Sequence, residues 1–348
     1  MKISFKMPAI AALFLSAMAF HLPAMAQSVG PQQTSVHEGQ TAPRGWTYEW
    51  GKTDFSKASV DFSEIFSGGP PKDGIPSVDR PKFEAINKAD WLNDRSPVIS
   101  LEINGEARAY PLAILTRHEI VNDRIGDVPI AVTFCPLCNA AIVFDRRHEG
   151  RELEFGTTGK LRNSDLVMYD RQTESWWQQF TGKAIVGTLL GAELKRLPSR
   201  LESFALFRER HPNGRVLERP FSRAGLYGTN PYEGYDSLRR PFLYDGALPK
   251  NIPAMMRVIS VGERAWTLDL LRREKRIETE DGLIISWVPG QASALDASEI
   301  DRSKDVGTVT VERQTENGRE DVVYGVDFAF AFHAFYPNAP IITKIDEG

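Results

Sequence analysis

A Cys-Pro-Leu-Cys step, Cys135 to Cys138, lies between two short runs suited to β-strand, 129–134 (PIAVTF) and 140–146 (AAIVFDR). These two residues are the only cysteines among 348. A thioredoxin-type thiol pair opens a long helix whose dipole lowers the thiol pKa. Here the run after Cys138 is short and partly β-branched, and His148-Glu-Gly-Arg turns the chain into a further strand at 152–155. The pair therefore reads as a knuckle joining two strands, and a thioredoxin fold is set aside.

The rest of the chain follows the same strand rhythm. From Val98 the apolar period is two, and VISLEI, Asn104-Gly105 and EARAYPL make a hairpin, because Asn-Gly tolerates the positive φ of a type I′ turn. Residues 112–121 (LAILTRHEIV) and 201–210 (LESFALFRER) read as short helices, the second ended by His211-Pro-Asn-Gly. The aromatic run 328–337 (FAFAFHAFYP) reads as a strand or buried helix, with His333 as a core histidine. Residues 98–112 match 258–268, and 127–134 can be laid against 281–288. The expected fold is mainly β with a few short helices (α+β), built as two β-rich repeats of a related unit packed together. The corresponding divisions are a lead-in at 27–45, taken as disordered, and a first repeat at 46–200 carrying the knuckle. A connecting helix and Tyr/Gly-rich loop at 201–250 and a cysteine-free second repeat at 251–348 follow.

The start of the chain carries an address. Lys2 and Lys6, an apolar run at 10–20 and Ala24-Met25-Ala26 have the layout of a secretory signal peptide cleaved near Ala26. The apolar run is about half the roughly 20 residues that span a bilayer, so a periplasmic or secreted protein without a membrane span is expected. Cleavage removes two lysines and no acid, leaving 40 basic against 46 acidic residues, a net −6. That balance, with no basic cluster, argues against a nucleic-acid partner. Only Met168, Met255 and Met256 follow the signal region, too few for a methionine-rich copper carrier.

Several long motifs resemble one family. DGIPSVDRPKF, EINGEARAYPLAIL, the FCPLC knuckle, NSDLVMYDRQTESWW and the closing aromatic run before Tyr-Pro are similar to the domain-of-unknown-function 3179 family, over about residues 73–340. The resemblance implies an exported protein of uncharacterised activity. It marks Cys135, Cys138, Asp165, Tyr169, Asp170, Arg171 and Gln172 as pattern positions without assigning their chemistry. The chain departs from the pattern at Asn139, where glycine is usual, at Arg117, where an aromatic is expected, and at Tyr336, where histidine is common.

Three chemistries fit the cysteines. Oxidised, they close a small ring that adds little loop-closure stability and is easily reduced, so an inert disulfide and a redox-active pair are two of them. Reduced, they form a two-sulfur chelate for a zinc or copper ion. His118 and Met168 are the candidate helpers of a metal or redox site, with Asp145 and Asp170 as further donors. Asp165 and Asp170 bracket a short strand and suggest paired-carboxylate hydrolysis, although turn formation explains Asp170, Arg171 and Glu174 equally simply. The alternative to a metal or redox site is a non-catalytic module with a structural disulfide. It would bind a carbohydrate or protein through Trp176, Trp177 and the Tyr-rich loop 221–245. Asp79, Arg80 and Lys82 read as a solvated loop. The partner, small molecule or protein, is left open, as is whether the protein is an enzyme. No Gly-x-Ser-x-Gly elbow or phosphate-cradling glycine loop is present.

Overall fold

The computed structural model describes residues 39–220, 224–316 and 318–345. Residues 1–26, expected to be a signal peptide, and most of the 27–45 lead-in lie outside the described residues. Residues 39–45, the end of that lead-in, are tied down. The Gln40 amide donates to the Val60 carbonyl (3.0 Å) and accepts from the Phe62 amide (2.8 Å). A helix then begins at Arg44.

The Asn104-Gly105 turn forms as its residues require, with φ of 52° and 82°. It joins strands Pro97–Ile103 and Glu106–Pro111 in antiparallel register, Ile103 opposite Glu106. Helix Leu112–His118 follows, and then strands Ile120–Ile125, Val128–Cys135 and Ala140–Asp145. Ser203 caps the helix Phe204–Arg210 by accepting from the Leu206 amide. Of the residues read as helix from sequence, Leu201–Ser203 instead belong to strand Arg200–Ser203, which pairs with Pro97–Ser100. The aromatic run divides into strand Gly325–Phe328 and helix Ala329–Phe335.

The two packed repeats expected from sequence are not what the strands build. They form five sheets of four or five strands, the blades of a five-bladed β-propeller around a single axis. The hairpin 97–111 lies in one blade with Arg200–Ser203, Arg215–Leu217 and Phe83–Ala85. The strands that follow it, 120–145, lie in a second blade with Arg196–Leu197, here called the knuckle blade. A third, the aromatic blade, orders Ile65–Ser67, Phe155–Arg162, Asp165–Asp170, Trp176–Gln178 and Lys183–Val186. The two matched segments each run hairpin, seven-residue helix, antiparallel pair, yet each is divided between two blades. Neither is a separately packed unit. Local pattern sets the strands; non-local pairing sets the blades.

Two faces of the aromatic blade are buried differently. Val167, Tyr169 and Trp176 pack with Trp50, Phe62 and Ile65, against the N-terminal segment. Trp46 and Trp50 lie 5.0 and 5.3 Å from Trp176, centroid to centroid. Leu166, Met168 and Trp177 enter the main core, together with Cys135 and Cys138. Among the described residues no helix is long and apolar enough to cross a membrane.

Candidate metal centre

The knuckle is a tight turn between two paired strands, Cys135 opposite Ala140. The Cys138 amide donates to the Cys135 carbonyl (3.3 Å) and the Asn139 amide to Pro136 (3.2 Å). Asn139 has φ of 54°, a left-handed conformation that asparagine adopts more readily than other non-glycine residues. Its side chain donates to the Val326 carbonyl (2.6 Å). A glycine would satisfy the conformation and lose that bond, which gives the departure from the family pattern a physical reason.

Three distant segments hold the turn. The Phe328 amide donates to the Cys138 carbonyl (2.9 Å). The Tyr235 hydroxyl donates to the Leu137 carbonyl (3.0 Å). The Cys135 thiol lies 3.8 Å from the Ser164 carbonyl. The Tyr-rich loop thus covers the knuckle, and Asp327 is carried to its side by strand Gly325–Phe328.

Asp165 completes the cluster. Asn163 and Ser164, both at positive φ (55° and 63°), turn the chain so that Asp165 opens its strand. Oδ2 accepts from the Gln178 side chain (2.7 Å) and the Phe180 amide (2.8 Å). Oδ1 is buried and has no hydrogen-bond partner among the described residues. A carboxylate oxygen of Asp165 and the sulfurs of Cys135 and Cys138 all lie within 4.8 Å of one another, and all three residues are buried. The cysteines are not joined by a disulfide.

Burial dominates the electrostatics. It pushes both thiols up, Cys138 furthest, with neighbouring acids adding to the shift. Burial raises Asp165 to about 7, with the bonds from Gln178 and Phe180 pulling the other way. Asp327 is raised to about 6 by burial, and Glu119 to about 8 by burial and then by Asp165. Acidic groups kept this close and dry favour protons, or a cation that replaces them.

The structure brings together Cys135, Cys138 and Asp165. The His118 ring nitrogens engage the Pro76 carbonyl (2.7 Å) and the Tyr227 hydroxyl (3.0 Å). Met168 is fully buried, in the same core cluster as the two cysteines. Asp165 and Asp170 stand at opposite ends of their strand, about 17 Å apart at 3.4 Å per residue, so they share no cleft. Asp170 instead organises its own turn. It accepts from the Thr173 amide (2.7 Å), the Thr173 hydroxyl (2.9 Å) and the Trp177 indole (3.0 Å).

Tyr169 and Arg171 belong to a second polar group. The Tyr169 hydroxyl donates to Asp73, while Arg171 bonds Ser77 (2.9 Å) and Asp79 (3.1 Å). Gln172 accepts from the Glu154 amide (3.0 Å). Trp176 and Trp177 are fully buried and present no face for a sugar ring. Asp145 pairs with Arg147 at the far end of the knuckle strand. Sequence reasoning missed Glu119 and Asp327. Their signal was an acid isolated in an apolar stretch, HEIV and GVDFAF.

The fold and the cluster define the class: a five-bladed β-propeller with a buried two-cysteine, one-carboxylate site at a strand-to-strand turn. Residues 72–339 match the family model described as "Protein of unknown function (DUF3179)", and the chain belongs to that family. No curated protein and no solved structure matches it.

Proposed function

We propose that this is an exported metal-binding protein whose site is formed by Cys135, Cys138 and Asp165. The observation that carries the reading is the convergence of three buried ligand atoms within 4.8 Å, one of them on a carboxylate with an unpartnered oxygen. Two thiolates and one carboxylate suit a borderline divalent ion such as zinc, for which Cys and Asp are both ordinary ligands. A carboxylate suits copper(I) less well, since that ion selects sulfur. Zinc with three protein ligands keeps a fourth position open, the arrangement of sites that do chemistry and not merely hold a fold. Thiol exchange fits less well, because it needs thiolate and burial pushes both thiols away from ionisation.

The test is elemental analysis of untagged protein purified from the periplasm. About one ion per chain is expected, lost in a Cys135→Ser/Cys138→Ser double variant that still unfolds cooperatively. A wild-type protein that takes up neither zinc nor copper after equilibration with either ion ends the reading. Export is tested separately by sequencing the mature N-terminus, which is expected to begin at Gln27.

A further inference from the structure

Beside the cluster lies a cavity of about 260 Å³ whose wall includes Cys135, Leu137, Leu161, Leu166, Tyr232 and Phe242. Cys138 is not in the wall, so only one cysteine of the pair borders this space. Two charged residues line it, Lys160 and Glu119. Lys160 is committed elsewhere: its amine is 3.3 Å from Glu49 and 5.6 Å from the ring centroids of Trp46, Trp50 and Trp176.

Glu119 is not committed. The residue is 8% exposed, and its carboxyl has no hydrogen-bond partner among the described residues. Its backbone has φ of 57° and ψ of −31°, an unfavourable conformation for a residue with a Cβ. The Glu119 amide, donating to Leu115 (2.9 Å), and its carbonyl, accepting from Phe134 (2.8 Å), hold it there. Strain of this kind clusters at ligand sites. Flanking the cavity, Phe242 and Leu243 are 53% and 47% exposed, and Leu243 is also at positive φ (49°). Their loop is pinned where the Ser164 hydroxyl donates to the Phe242 carbonyl (2.6 Å).

We propose that this cavity binds a small uncharged molecule with an apolar body and one amide end, which hydrogen-bonds to the Glu119 carboxyl beside Cys135. An apolar cavity of about 150 Å³ accepts benzene, so this one takes roughly ten non-hydrogen atoms. An anion finds no free cation in the wall. A cation would lose its hydration against leucines and phenylalanine, with a single acid in return. An amide end meets the Glu119 carboxyl by donating an N–H to it and brings no charge of its own into the apolar walls. The site goes beyond the metal reading and shares only Cys135 with it.

The experiment uses the metal-free full chain at pH 7, so its outcome is independent of metal content. Benzamide, benzoate and benzylamine, alike in size and different in charge, are titrated by NMR. Saturable benzamide binding is expected, with benzoate and benzylamine at least tenfold weaker. Glu119→Met, close in shape, should weaken benzamide at least fivefold. Leu166→Phe, which narrows the cavity from a different wall, should abolish binding and serves if Glu119→Met fails to fold. Absence of benzamide binding, equal binding of either charged analogue, or full binding by both variants overturns the proposal.

Discussion

Replacing Asp165 with asparagine should stabilise the metal-free protein at pH 8 while removing its metal uptake. Asp165 titrates near 7 against an ordinary value of 3.8, a difference of about three units. At 1.36 kcal/mol per unit, ionising it inside the fold costs up to about 4 kcal/mol. Because its folded pKa is raised, its favourable contribution is complete below pH 3.8 and is lost as pH rises through 7. Asparagine keeps an oxygen for the Gln178 and Phe180 donors and carries no charge to bury. The variant should therefore exceed wild type by about 2–4 kcal/mol at pH 8, a rise in Tm of about 4–8 °C at the high end of domain sizes. Between pH 5 and 7 the gap should widen by about 2–3 kcal/mol. Urea unfolding in the presence of a chelator measures both quantities. A variant less stable than wild type at pH 8, or two pH profiles that run parallel, would refute the reasoning.

Other outcomes follow from the same geometry. Zinc uptake near pH 6.5 should release about two to three protons per ion, from the two thiols and Asp165; calorimetry in buffers of different ionisation enthalpy counts them, and a count near zero contradicts the ligand set. Asp170→Ala should cost about 2–4 kcal/mol, because it leaves the buried Trp177 indole without its acceptor, yet leave metal content unchanged. Asn139→Ala should cost about 2 kcal/mol through strain at φ 54° and the lost bond to Val326. Asn139→Gly, free of the strain, should cost about half as much, and equal losses in urea unfolding would remove the conformational argument. Asp236→Ala should cost about 3–5 kcal/mol, since Asp236 accepts from the buried Arg257 guanidinium (3.0 Å), the Ser293 hydroxyl (2.6 Å) and the Lys304 amine (2.8 Å). A loss below about 1 kcal/mol in thermal unfolding would show that this network does not hold the loop over the knuckle.

The sequence determined what depends on neighbours along the chain. Asn104-Gly105 has to turn, and the period-two runs on either side have to pair as a hairpin. A Cys-x-x-Cys with strand-forming flanks has to be a knuckle and not the start of a helix, and the structure places it so. The tertiary structure decided whatever requires residues far apart in sequence to meet. Asp165 was legible as a polar position at a strand end, but its convergence with the sulfurs depends on the pairing of Val128–Cys135 in one blade and Asp165–Asp170 in another. Glu119 and Asp327 offered no spacing to read, because one comes from a helix end and the other from strand Gly325–Phe328. The local similarity of 98–112 to 258–268 suggested two repeats, while hydrogen bonding to strands from elsewhere in the chain distributed each segment between blades. Side-chain alternation fixes which face of a strand is buried; only the partner strand fixes what that face is buried against.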